Sequence, residues 1–207
     1  MNAMGCEVES DRRAQDLRED LEQRVALATP SDMVRGASFL GMLEVVRARV
    51  GEAGVRQCLE VGGEARFVEF FNYPVGPYLR MNEVAARVLA PECGGWEEAQ
   101  RLLGRRATLD MMRSAAGRAL QLVSRGETRR LVSSLPSAYR AVVNYGERSV
   151  VWEGPSRGRV IMRRDFMPCA FHEGVLGAVL EGMKVEGVEV RGLRMGVLDA
   201  EYLITWE

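Results

Sequence analysis

The 207-residue chain holds one histidine, His172, and a cysteine stands three residues before it, at Cys169. A cysteine and a histidine that close can form a nucleophile and base pair if the turn between them folds back. A Ser-His-Asp arrangement would also have to use His172, because no other imidazole exists to stand between nucleophile and acid. The commoner fate of such residues is a core thiol and a histidine at the exposed start of a helix, here beside Glu173. The acidic pairs Glu97/Glu98 and Glu19/Asp20 fall on charged helical faces among arginines, where solvated charge is the simpler reading than acid-base work. Neither Gly-x-Gly-x-x-Gly nor Gly-x4-Gly-Lys-Ser/Thr occurs, which excludes a standard phosphate loop. The chain therefore reads as a non-enzyme, with a Cys/His-dependent enzyme as its third reading.

Composition narrows the partners. Twenty-eight basic residues face 29 acidic ones, for a net charge of −1, so no global field draws the protein to nucleic acid. Lys184 is the only lysine, and the arginine pairs Arg105/Arg106, Arg129/Arg130 and Arg163/Arg164 read as solvated faces. Cys6, Cys58, Cys93 and Cys169 lie far apart with no histidine cluster, a pattern of reduced thiols and not of a metal site or disulfide framework. Charged residues interrupt every apolar run before it reaches membrane-spanning length, and the N-terminus lacks a signal-peptide core. The expectation is a cytoplasmic protein with no membrane span and no cofactor.

The elements that must position these residues follow from periodicity. Asp11 to Ala28 reads as an amphipathic helix with Leu17, Leu21 and Val25 on one stripe, part of an N-terminal extension over residues 1–30. A single domain is expected over 31–207. Ser31 to Gly36 is extended, Phe39 to Val50 helical, and Val55 to Val61 a second short helix after Gly51. Pro74 and Pro77 suit the first turn of a helix running to Pro91. From Trp96 to Ser134 the period stays near 3.6, through Leu102, Leu103, Leu109, Met112, Ala116, Leu120 and Val123. Helices are expected to separate near Gly104 and Gly126, and Pro136 to close the helical half. Met111 and Met112 read as core methionines that would also suit a pocket.

Val150-Val151-Trp152 and Val160-Ile161-Met162 predict a hairpin around the glycines and proline of 153–158. Residues 171–183 return to a helix in which Gly174, Ala178 and Gly182 make a smooth face. Val188/Val190 and Tyr202/Ile204/Trp206 alternate as half-buried antiparallel strands. The class is α+β: an N-terminal helical half, then a small antiparallel sheet with one packed helix.

Tyr73-Pro74, Leu103-Gly104-Arg105-Arg106, Leu135 to Arg140, Asn144 to Glu147, Glu173 to Leu176 and Asp199 through Trp206 occur in consistent order from about Met33 to Glu207. In these residues the chain resembles an uncharacterised family found in myxobacteria, a domain of unknown function. More distantly it is similar to the haem-nitric-oxide-binding domains and to 4-vinyl-reductase-type and vesicle-tethering folds. That resemblance rests on the first helix, the helical middle and the terminal module entered through Glu173-Gly174-Val175-Leu176. It implies the fold but not the haem. In haem-binding members a Tyr-x-Ser-x-Arg motif precedes that Glu-Gly, and the matching positions here are Pro168, Ala170 and His172. The proximal histidine would fall within Leu135 to Tyr139, where there is none. Tyr139 as a phenolate ligand is a weaker reading than a buried, hydrogen-bonded tyrosine.

Two functional readings follow. One is a haem-free sensory or regulatory domain that binds a small hydrophobic molecule between the helical half and the sheet and signals to a partner, with Tyr139, Arg140, Tyr145 and His172 as its polar contacts. The other is a ligand-free adaptor or oligomerisation module, binding a protein partner or a second copy through the Gly174/Ala178/Gly182 face or the N-terminal helix. The same glycine face would equally serve internal packing.

Overall fold

The computed structural model describes residues 3–124 and 127–207, with the backbone path alone for residues 3–11, 116, 120 and 123; the break expected at Gly126 lies outside the described residues. Helix α1 (Ala3–Leu27) leads into strand β1 (Met33–Arg35), helix α2 (Gly36–Gly62), strand β2 (Asn72–Pro74) and helix α3 (Val75–Cys93). Helices α4 (Trp96–Arg113), α5 (Ala115–Ser124) and α6 (Thr128–Tyr139) follow. Strands β3 (Glu147–Gly154) and β4 (Arg157–Arg163), helix α7 (Cys169–Gly182), and strands β5 (Glu189–Arg194) and β6 (Ala200–Thr205) complete the chain. The class is α+β, as the sequence implied.

The last four strands form one antiparallel sheet in the order β3-β4-β6-β5, with Val160 opposite Tyr202 and Val190 opposite Ile204. In β4 and β6 every second side chain is buried, so Val160, Met162, Tyr202 and Ile204 present one apolar face. Leu176, Val179 and Leu180 of α7 and Leu131 and Leu135 of α6 complete that core. A second core lies among α2, α3 and α4, where Phe39 stacks on Phe67 at 4.2 Å between ring centroids and meets Tyr78 edge-on at 4.9 Å. A short pairing of β1 with β2 brings the start of α2 beside the start of α3.

One boundary falls where the periodicity reading put it and two differ. Within α2 the backbone is non-helical at Gly51 (φ 74°, ψ −169°), where a kink separates the two helical stretches that were expected. Helix α4 runs unbroken through Gly104, and the break falls at Ser114. Pro136 lies inside α6, which continues to Tyr139. At Gly104 the residue type reflects a neighbour and not a chain break: a β-carbon there would overlap the Phe171 carbonyl of α7, and one on Gly174 would overlap the Arg101 carbonyl of α4. Each glycine thus admits the other helix's backbone. Thr108 Oγ1 extends the same contact by donating to the Val175 carbonyl at 3.1 Å.

This packing favours internal packing over partner docking for the buried part of the α7 face. Gly174 and Ala178 are buried inside the fold, and Gly182 alone of the three is exposed. Gly174 thus serves internal packing against α4, whereas Gly182 has open space where its β-carbon would lie.

Candidate functional site

His172 falls in the first turn of α7, and it is buried at 2% relative exposure, contrary to the expected exposed helix start. Buried imidazole needs partners for both nitrogens, and both have them. Nε2 donates to Asp165 Oδ1 at 2.7 Å, and Nδ1 lies 3.0 Å from the Tyr139 hydroxyl at the end of α6. Cys169 takes no part in this arrangement: its thiol is pushed up by burial, the opposite of what a thiolate nucleophile requires. The Cys-His pair therefore does not form.

Asp165 lies in the segment that carries the chain from β4 to α7. Arg164 enters the segment at φ 51°, and the Asp165 amide donates to the Leu198 carbonyl at 2.7 Å. Its carboxylate accepts from the Met167 amide at 3.0 Å, from His172 and from Arg148 of β3, whose side chain is 4% exposed. Burial alone would raise the Asp165 carboxyl, but the interactions with His172 and Arg148 outweigh it and hold the group well below the ordinary carboxylate range. Arg148 also donates to the Tyr145 carbonyl, and its guanidinium carbon lies 4.7 Å from the Tyr139 ring centroid and 5.6 Å from that of Tyr145. Burial, with Asp165 nearby, raises both phenols and keeps them protonated.

These groups form the polar wall of a partly enclosed cavity of about 80 Å³ among the helical half, α7 and the β4–α7 connector, to which the four-stranded sheet contributes Arg148. The rest of the lining is mostly apolar, with Val34, Leu135, Val142, Met167, Phe171, Val175 and Val179 among it. Met111 is part of the lining, the pocket role open to it from sequence. Of the four residues expected as polar contacts, Tyr139, Tyr145 and His172 meet at the cavity. Arg140 does not: one residue beyond the end of α6 its side chain turns outward and donates to Ser137 Oγ at 3.0 Å.

Arg148 and Asp165 are absent from the sequence reading. Arg148 carried a usable signal, because it shares strand parity with Val150 and Trp152, whose side chains face inward along β3. A charge on the apolar parity of a strand demands a buried partner. Asp165 sits in an irregular connector and carries no such pattern.

The connector is also held from outside. Arg164 forms a two-pronged ion pair with Asp32, at 2.6 and 2.7 Å, so this arginine of the Arg163/Arg164 pair is a structural tie whose side chain also stays partly solvated. Buried Arg24 of α1 donates to the Phe166 and Met167 carbonyls at 3.3 and 3.1 Å. Asp20, one turn earlier, pairs with Arg24 and with Arg194 of β5.

The fold is that of the H-NOX domains. A variant H-NOX protein from K. algicida, in its Fe(II) unliganded state, superposes with a TM-score of 0.67 at 12% identity, covering 84% of this chain and 96% of that one. An H-NOX protein from S. oneidensis in the Fe(II)NO state gives 0.64 at 11% identity, over 84% and 99% of the two chains. An oxygen-binding H-NOX domain related to soluble guanylate cyclases gives 0.60 at 10% identity, over 84% and 95%. No curated protein matches the chain.

The residues here do not fit a haem. A haem's proximal ligand is an imidazole nitrogen, a thiolate or a phenolate, and a methionine thioether, such as Met111 or Met167 could supply, serves beside a histidine. Both nitrogens of His172 are engaged, and Tyr139 is a protonated phenol bonded to that histidine. The cavity is also far below the roughly 300–1,000 Å³ of cofactor pockets.

The match that assigns the chain lies in sequence and spans residues 28–207: the protein belongs to the family described as "Protein of unknown function (DUF2378)".

Proposed function

We propose that this chain is a haem-free sensory or regulatory domain, and not an enzyme, that binds a small hydrophobic molecule in the cavity beside Tyr139 and His172 and signals the occupancy to a partner. The observation that carries this reading is the cavity itself, apolar over most of its lining with a single buried ionic wall. Apolar pockets with a few convergent polar groups are the usual form of small-molecule sites. The Asp165 connector supplies the route outward, since one of its faces holds the cavity wall and the other is gripped by Arg24 of α1. A molecule that displaces the wall by a fraction of an ångström loads the bonds that dock α1. Native mass spectrometry of the purified chain against its denatured mass tests the reading. An added mass lost on denaturation supports it, whereas a bare chain that gains no mass when short apolar molecules are supplied refutes it.

The adaptor reading retains one specific support. Phe70 and Phe71 are 73% and 62% exposed, on a loop whose backbone is fixed by bonds from Arg35 to the Phe70 carbonyl and from the Gly36 amide to the Phe71 carbonyl, both 2.8 Å. Exposed aromatics on a pinned loop suit contact with another chain. If that reading is correct, replacing both with serine removes an assembly while leaving the unfolding temperature in place; an assembly unaffected by the change excludes this surface.

A further inference from the structure

Two hydroxyls on the cavity wall have no partner. Tyr78 of α3 and Tyr145, between α6 and β3, both line the cavity and are only 4% and 5% exposed. Neither phenol makes a hydrogen bond among the described residues, and neither is among the unbonded atoms sealed from water, which lie at Asp20, Asn82, Gln100 and Arg148. Burial is nonetheless the chief cause that raises both phenols, so their oxygens sit deep in the fold and not at its outer surface. A deep oxygen that water can still touch faces an internal space. Among the described residues, this cavity is the only one that either tyrosine lines.

Both rings are fixed from behind: Tyr78 meets Phe39 and Tyr145 meets Phe166 edge-on, each at 4.9 Å between centroids. The other polar side chains of the lining are already committed, apart from half-exposed Ser38. Tyr139, His172 and Asp165 are joined in a chain, and Thr108 donates to the Val175 carbonyl. The unmet hydrogen-bonding capacity of the cavity therefore lies in the two phenols.

Charge and size restrict what can meet it. After burial, Asp165 raises the Tyr145 phenol more than Arg148 lowers it, and Asp110 raises that of Tyr78, so an anion beside these hydroxyls meets net repulsion. Tyr78 is itself among the groups that raise Tyr145, which puts the two hydroxyls within electrostatic reach of each other. The cavity of about 80 Å³ is roughly half the ~150 Å³ in which an engineered apolar cavity holds benzene. The remaining lining, with Leu135, Val175 and Val179, rewards an apolar body.

We propose that the molecule taken up here is uncharged, has roughly three to five heavy atoms and carries one carbonyl or hydroxyl oxygen, as in a short ketone or alcohol, which bonds to the hydroxyls of Tyr78 and Tyr145. The proposal rests on the reading of the cavity as a ligand site and names the ligand class for it. The two tyrosines are then the specificity-determining residues, and the apolar walls hold the body of the ligand without distinguishing its functional group.

Butanone and 2-methyl-1-butene test this in the full chain, because they share a shape and differ by a carbonyl oxygen against a methylene; propionate is the charged comparator. Binding is read from the methyl resonances of Val175 and Val179. In the double variant Tyr78→Phe, Tyr145→Phe, the affinity of butanone relative to the alkene should fall about tenfold from its wild-type value, with the alkene's own affinity unchanged. Propionate should bind the wild type more weakly than butanone does. Because the hydroxyls have no partner to lose, the ligand-free double variant should unfold in urea no earlier than the wild type. A variant that is clearly less stable, or does not fold, overturns the premise that these hydroxyls are free. An unchanged ratio of butanone to alkene affinity overturns the role of the tyrosines while leaving the cavity as a site. Tighter binding of propionate overturns the neutral-ligand assignment. If none of the three moves the wild-type methyls, the ligand-site reading fails as well.

Discussion

Gly104 of α4 and Gly174 of α7 occupy one crossing, each leaving the space that the other helix's backbone fills. That crossing sets the height of α7 over the helical half, and hence where His172, two residues before Gly174, meets Tyr139.

A methyl group at the crossing therefore cannot be absorbed by a side chain. Gly104→Ala should destabilise the protein by about 3 kcal/mol, the upper range for overpacking. Gly177→Ala, on the same helix α7 but with open space where its β-carbon would lie, should stabilise by roughly 0.5–1 kcal/mol. Urea unfolding of both variants checks the contrast, and equal effects would contradict the packing described.

Arg24 is the tie between α1 and the connector. Arg24→Met keeps much of the apolar stem but abandons the Phe166 and Met167 carbonyls and the Asp20 carboxylate. The expected loss is about 1.5–3 kcal/mol, the range for hydrogen bonds to a charged group. Amide exchange should quicken in α1 and in residues 164–167 together. Faster exchange confined to α1 would show that the connector does not depend on it.

Asp32 gives a pH signature. Bonds from Arg164, reinforced by those from Thr29 and opposed by burial, lower its carboxyl from the ordinary 3.8 to about 2. A carboxylate depressed in the folded state contributes stability that is complete above its unfolded value and disappears as pH falls through the folded value. The stability gap between wild type and Asp32→Asn should thus be constant above about pH 5 and close between about pH 4 and 2. Urea midpoints measured across pH 6 to 2 check this; a gap that persists at the acid end would assign the effect to packing.

Haem supplies a further check on the site. Expression with added haem, or titration of the purified chain, should give no Soret band characteristic of axial ligation, because no ring nitrogen or thiolate is free at the cavity. Release of His172 by Tyr139→Phe and Asp165→Asn together is the variant in which weak ligation would first become detectable.

The sequence made the sheet legible because β4 and β6 alternate strictly between core and solvent. It made α7 legible because its apolar residues recur at helical spacing. The α4 boundary was misread at Gly104, since a glycine that serves a neighbouring backbone looks in sequence like one that ends a helix. Pro136 misled similarly: it removes one amide from α6, but the helix ends only three residues later. At the site, aromatic type and proximity to the terminal module marked Tyr139, Tyr145 and His172. Arg140 lies one residue beyond the end of α6, where its side chain is exposed and bonded to Ser137 and not turned to the cavity. Asp165 was invisible because the partners that make it matter lie on three separate elements, β3, α7 and the connector itself.

The most direct test of the ligand-binding reading is a thermal titration of the wild-type chain and Ala138→Met with short apolar molecules. Ala138 lines the cavity, and methionine's flexible side chain can fill it without adding charge. Binding to the folded state alone raises the unfolding temperature with ligand concentration. A saturable rise in the wild type, lost in a folded Ala138→Met chain, is the predicted result. No rise with any such molecule, or an equal rise in both chains, would contradict the claim that this cavity is the site.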